Sequence, residues 1–207
     1  IVGLSIVPVL LGWPMLLMPV HILFLQLVID PACSIVFEAE PLEPDAMTSQ
    51  PRHPDMPLFD REILLRGLLQ GAGLLLMLIV WYLQVRGFSQ SDEQARTASF
   101  VALVLANLGL IYSNRSWSRP AWRRHAPANS AFVWMSAVAI LLLLLVLSWG
   151  SLRTLFSFAP LSPAQLAGCA LLAALALGWF ELVKWAQARF RIGVASRRVA
   201  NPRSGVA

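Results

Sequence analysis

Residues 19–41 read PVHILFLQLVIDPACSIVFEAEP, and most of that run is soluble in hydrocarbon. From Met18 to Phe37 it is long enough to cross a bilayer, which takes about 20 apolar residues. Yet Gln26 and Asp30 stand in mid-span, and Pro31 follows at once. A carboxylate at the bilayer centre costs on the order of 3 kcal/mol. A proline there removes a backbone donor and kinks the helix. Two disruptions in one turn point to a built site, with the rest of the chain as the bundle that holds it.

Composition agrees. Hydrophobic residues make up 57% of the 207 and charged residues only 13%, and the mean hydropathy is +0.67. Soluble domains carry roughly 25% charged residues, so this is a membrane chain. All of the 16 basic residues except Lys184 are arginines, spread over the segments between apolar runs. That spread is no nucleic-acid footprint, which would gather them on one face. Cys33 and Cys169 both fall inside apolar segments, as reduced thiols do and a disulfide scaffold does not.

Around the first span the chain divides readily. Residues 1–12 read as the end of a helix whose start is missing, stopped by Gly12–Trp13–Pro14. Residues 38–61 hold five prolines and several acids and read as a loop. Further spans are expected at 62–85, 97–113, 130–149 and 166–185, followed by a basic tail over 186–207. The expectation is therefore an all-α polytopic bundle of five full spans plus a truncated N-terminal helix. Gly67, Gly71 and Gly73 in the second span provide a G-x-x-x-G step for close helix approach. Thirteen of the 16 basic residues fall on one side of such a bundle. The positive-inside rule then puts the 38–61 loop, the 115–124 loop and the C-terminus in the cytoplasm.

Helical spacing sets Gln26, Asp30 and Ser34 on one stripe, with Cys33 beside it. Pro31 has no N–H, so the Leu27 carbonyl loses its helical partner. That carbonyl, the Asp30 carboxylate and the Gln26 amide oxygen form the kind of oxygen set that hard cations prefer. Unwound backbone beside an intramembrane acid is also how many transporters bind ions. Without a cation, the same residues would make a proline kink with a protonated or hydrated Asp. Asn107 in the third span is a second contributor or an interhelical hydrogen-bonder. Glu181 and Lys184 are expected to pair locally while Lys184 snorkels. His21 suits a structural hydrogen bond. Nothing in the chain has the pattern of a P-loop, a dinucleotide fingerprint or a nucleophile elbow, so it does not bind and split a nucleotide by itself.

The 19–52 stretch resembles the sixth membrane helix and following loop of P-type cation-transporting ATPases. The marks are Pro19–Val20, then Leu27–Val28–Ile29–Asp30, then Glu40–Pro41 with Asp45 and Met47, and Pro51–Arg52. The resemblance implies helices six to ten plus the end of helix five. It makes Asp30 and Gln26 cation ligands, and the loop with Glu40, Pro41, Asp45 and Arg52 a coupling element to the phosphorylation domain. It also implies ATP and Mg2+ as cofactors of a full-length protein, bound outside this chain. The missing phosphorylation, nucleotide and actuator domains and the lipid bilayer would be its partners. Calcium pumps of that family usually have Thr at the position of Ile29, Gly at that of Pro31, and an eighth-helix carboxylate where only Asn107 is available. The heavy-metal branch, with its Cys-Pro-Cys-type motif and no helices seven to ten, fits poorly.

The expected function is therefore the C-terminal transport segment of an ATP-driven cation pump in a bacterial inner membrane. The alternative is a non-enzymatic membrane protein, a secondary-transporter segment or accessory subunit, using the same kinked acidic helix.

Overall fold

A computed structural model describes the backbone of residues 2–41, 61–88, 91–115 and 129–200. Among these residues there is no strand, and seven helices follow one another. They are α1 (Val2–Leu10), α2 (Pro19–Glu38), α3 (Arg61–Phe88), α4 (Asp92–Asn114), α5 (Ser130–Ser148), α6 (Gly150–Leu155) and α7 (Pro163–Ala200). Five of them are long and apolar enough to cross a membrane: α2, α3, α4, α5 and the Pro163–Gln187 part of α7.

Two limits differ from the sequence expectation. Residues 86–96, left between the expected spans 62–85 and 97–113, are mostly helix, because α3 runs on to Phe88 and α4 starts five residues early. Ser91 caps it by accepting the Gln94 N–H at 3.3 Å, and Asp92 and Glu93 sit at the positive end of its dipole. The expected basic tail continues α7 as helix as far as Ala200. At the other terminus, α1 ends at Leu10, two residues inside the expected 1–12. Gly12, at φ 66°, reverses the chain so that the Trp13 N–H reaches the Pro8 carbonyl at 2.8 Å.

The least apolar span is the most enclosed. In its most apolar 18-residue stretch 67% of α4 is buried, against 17–33% of the corresponding stretches of the other four. Ala95, Ala98, Ala102 and Ala106 recur at helical spacing with no exposed surface, so neighbouring helices approach its backbone closely. α4 packs against α3 and α7, which also pack on each other, and touches the middle of α2 and α5. The Cys169 thiol of α7 donates to the Ala98 carbonyl at 3.2 Å. Lipid is as apolar as leucine, so hydrophobicity does not mark the central helix; small and weakly polar residues do.

Close approach between α3 and α7 does occur through glycine, though not at the Gly67–Gly71 step, where a Cβ added to either residue meets nothing within 4 Å among the described residues. The Trp179 indole of α7 lies on Gly73, and its N–H donates to the Leu69 carbonyl at 3.1 Å. The Trp81 indole of α3 lies in turn on Gly168. A Cβ at either glycine would collide with a rigid ring. Gly73→Leu and Gly168→Leu are each expected to cost about 1–3 kcal/mol, read as a lower unfolding midpoint in micelles.

The spans alternate in direction. Glu38, Arg66, Asn114, Arg115, Asn129 and Lys184 lie at one end of the bundle, the basic end. Met15, Arg86, Asp92, Gln94 and Pro160 lie at the other, where Arg86 pairs with Asp92 at 3.1 Å and Arg96 donates to the Met15 carbonyl at 3.1 Å.

Candidate functional site

The disruption around Asp30 takes a definite form. α2 is α-helical over Pro19–Phe24, π-helical over Leu25–Ile29 and α-helical again over Asp30–Glu38. The Asp30 N–H bonds the Leu25 carbonyl five residues back. Pro31 explains this, because its ring needs the carbonyl four residues earlier moved aside. One widened turn ahead of the proline does that without breaking the helix. The loosened backbone is thus the whole Leu25–Ile29 turn, a wider feature than the single Leu27 carbonyl that the sequence suggested.

Leu25, Ile29, Ala32 and Val36 are buried and fasten α2 to the bundle. Gln26, Leu27, Asp30, Pro31 and Ser34 are exposed on the opposite face. The structure therefore brings Gln26, Asp30 and Ser34 together as one outward stripe. The Ser34 hydroxyl is turned back to its own helix, donating to the Asp30 backbone carbonyl at 3.3 Å. Asn107 is half-buried on α4, and α4 adjoins the π turn. No hydrogen bond joins Asn107 to Gln26 or Asp30 among the described residues. Nor do those residues contain a group of three or more His, Cys, Asp and Glu side chains able to hold a metal ion. Chemically, the stripe offers one carboxylate and one amide oxygen beside a widened turn. That is a partial shell for a hard cation, facing away from the helices to which α2 is packed.

Both ends of α2 are held by buried polar networks. At the Pro19 end His21 has no exposed surface. The Met18 N–H donates to its Nδ1 at 3.0 Å, so Nδ1 is the acceptor and Nε2 carries the proton. Nε2 then donates to the Phe156 carbonyl at 2.9 Å. The ring is stacked on Phe158, with centroids 4.8 Å apart, and lies 5.0 Å from Phe100. Ser157, at φ 50°, is the left-handed residue after α6 that lets both flanking phenyl groups turn inward. His21 is a structural hydrogen-bonder, as its sequence position suggested. His21→Leu strands a buried N–H and a buried carbonyl. A loss of about 1–3 kcal/mol is expected, measurable as a lower midpoint of thermal unfolding.

At the basic end Glu40 accepts from Arg115 through both carboxylate oxygens, Nε to Oε2 at 2.7 Å and Nη2 to Oε1 at 3.1 Å. The Asn129 amide also donates to Glu40 Oε2, at 2.7 Å, and to the Val36 carbonyl at 3.0 Å. Its own Oδ1 caps α5 by accepting the Phe132 N–H at 3.1 Å. The Arg115 guanidinium lies 5.2 Å from the centre of the Phe132 ring. Of the expected coupling residues, Glu40 is therefore in the bundle and Pro41 is exposed beside it. Asp45 and Arg52 lie outside the described residues. Asn129 and Arg115 were legible only as loop and topology residues. The usable signal was an acid, Glu40, at the mouth of a span on the side of the bundle expected to hold 13 of the 16 basic residues.

Two further features lie at this end. A pocket of about 490 Å3 opens between α2, α3 and α4, lined by Phe37, Glu40, Arg66, Gln70, Asn114 and Arg115. Gln70 is buried there and accepts from Asn114 at 3.5 Å. Between α4 and α7, Glu181 and Lys184 pair at 3.1 Å as expected, but Lys184 does not snorkel. It is only 5% exposed and drives its ammonium onto the Ser113 carbonyl at 2.5 Å. The Ser113 hydroxyl donates to Glu181 at 2.6 Å. The negative end of α4 and a carboxylate together draw the cation inward.

Comparison with known proteins gives the family of the chain. The family described as "Cation transporting ATPase, C-terminus" matches residues 14–186, which takes in α2 to α5 and residues 163–186 of α7. A protein of Bacillus subtilis named "Calcium-transporting ATPase" is 29% identical over 160 residues, covering 75% of this chain and 18% of that protein. A Mycobacterium bovis protein named "Probable cation-transporting ATPase F" is 31% identical over 115 residues, covering 55% of this chain and 12% of its own length. A Bacillus cereus protein named "Calcium-transporting ATPase 1" is 25% identical over 197 residues, covering 86% and 22%. The chain thus spans about a fifth or less of the relatives it matches. With residues 14–186 matched, the chain belongs to the C-terminal membrane region of the P-type cation-transporting ATPases.

Proposed function

We propose that this chain supplies one wall of the intramembrane cation site of an ATP-driven P-type pump. The observation that carries the reading is Asp30 itself. It is a carboxylate on the outward face of an apolar helix, directly after a π turn and directly before a proline. In this reading Asp30 provides the charge and Gln26 an amide oxygen, with Asn107 contributing from α4. The remaining oxygens come from parts of the full-length protein beyond this chain. That protein would also hold the phosphorylation, nucleotide and actuator domains that bind ATP and Mg2+. Phosphorylation there would alternately expose the Asp30 site to the two sides of the membrane, with the loop after Glu40 as the coupling element.

The arginine count supports a topology with Glu40, the 115–124 loop and the C-terminus in the cytoplasm. Bacterial relatives support an inner membrane as the location. The names of two relatives make Ca2+ the first cation to test. The test is phosphoenzyme formation from ATP by the full-length protein across Ca2+, Mn2+, Na+ and K+. Stimulation by one of them, saturable and selective, is expected. ATP turnover indifferent to every cation would contradict the reading.

A further inference from the structure

α2 is held at both ends by buried polar networks and carries a π turn between them. Its Pro19 end is locked by His21, buried and bonded at both ring nitrogens. Its basic end is locked by Glu40, which takes two bonds from Arg115 and one from Asn129. Asn129 adds a bond to the Val36 carbonyl while capping α5, so α2, α4 and α5 meet in one knot. The Arg115 and Glu40 side chains are only 8% and 16% exposed. A bidentate guanidinium–carboxylate pair shielded from water holds direction as well as distance. Between the two anchors lies the π turn Leu25–Ile29, where the regular helical ladder is interrupted.

From these contacts we infer that Arg115 is a positioning residue for the cation site, acting through Glu40 and not by touching the ion. This rests on the reading of Asp30 as a cation ligand. Asp30 is ten residues from Glu40, about 15 Å along a helix, so a tilt of about 10° around that anchor moves the carboxylate by about 3 Å. Such a displacement is larger than the tolerance of a coordination shell. With the anchor in place, conformational change is absorbed by the π turn and Asp30 returns to one position. With the anchor cut, the Asp30–Glu38 segment keeps the apolar packing of Ala32 and Val36 and the Asn129 bond to the Val36 carbonyl. It loses the directional charged pair, so its tilt and the position of Asp30 are less sharply defined before any ion arrives.

The experiment uses the full-length pump, titrated with whichever of Ca2+, Mn2+, Na+ and K+ stimulates the wild type. Phosphoenzyme is measured per folded molecule in wild type, Arg115→Gln, Arg115→Lys, and the reversal pair Glu40→Arg with Arg115→Glu. Arg115→Gln is expected to raise the half-saturating cation concentration about five- to tenfold, with maximal phosphoenzyme within twofold of wild type. Arg115→Lys keeps the charge without the fork and should fall between. The reversal pair should recover most of the affinity. An unmoved half-saturating concentration in Arg115→Gln would overturn the inference, whatever happens to protein yield. Asp30→Asn serves as the separating control. Cation dependence lost in Asp30→Asn but unmoved in Arg115→Gln refutes only the role of Arg115. Wild-type cation dependence in Asp30→Asn refutes the ion-site reading and this inference with it.

Discussion

Asp30→Asn in the full-length pump is expected to abolish cation-stimulated phosphorylation while leaving membrane insertion and folding intact. The change keeps the size of the side chain and removes its charge. Asp30 is exposed on α2 and is not part of the face that packs on the bundle, so no core contact is lost. A neutral residue in an apolar span also lowers the cost of insertion. A hard cation is bound by a small number of oxygens, and affinity follows their charge. Removing the carboxylate that Asp30 brings to the proposed site is expected to weaken binding at least about 100-fold, or about 2.7 kcal/mol. The neighbouring Ser34→Ala makes the contrast. Its hydroxyl is committed to the Asp30 backbone carbonyl, so near-normal cation dependence is expected. Phosphoenzyme formed from ATP, titrated with cation, reads both.

Lys184→Met has the second largest expected effect, on stability and not on the ion. It removes the cation that pairs with Glu181 and bonds the Ser113 carbonyl, all between α4 and α7. Glu181 is 5% exposed, accepts from the Ser113 hydroxyl at 2.6 Å, and would lose its ammonium partner. Removing one partner of a buried pair costs about 3–5 kcal/mol, because the other charge stays buried. Replacing both partners by apolar groups leaves no stranded charge, and Ser113 can bond back to its own helix. The double variant Glu181→Leu with Lys184→Met is therefore expected to recover most of the loss. Thermal unfolding in micelles distinguishes the cases. Equal midpoints for wild type and Lys184→Met would show that the pair contributes nothing.

Much of this architecture was legible from residue type alone, because bilayer thickness imposes it. α2 and α5 lie within a residue or two of the limits that their apolar runs suggested. Asp30 stood out because hydrocarbon makes a carboxylate expensive wherever it is placed. What the sequence withheld depends on neighbours. The start of α4 turned on a single capping bond from Ser91, which outweighed the polarity of 92–96. Pro31 announced a kink, but whether a proline is absorbed by a break or by a π turn depends on how the helix is held at its two ends. Lys184 looked like a snorkelling residue because length and charge are all that a sequence displays. Its burial follows from a carbonyl 71 positions away. The Glu40–Arg115 pair spans 75 positions, and arginines that also set topology look alike until their partners are seen. Asn107 is the opposite case. It is polar and in mid-span, as expected, yet hydrogen-bonded to neither Gln26 nor Asp30 among the described residues.

Equilibrium binding of cation to the full-length protein without ATP tests the role of Asp30 most directly, since it bypasses phosphorylation and coupling. Wild-type protein in micelles is expected to bind the stimulating cation saturably, and Asp30→Asn to lose that binding at the same concentrations. Equal binding by the two proteins would contradict the assignment of Asp30 as a cation ligand.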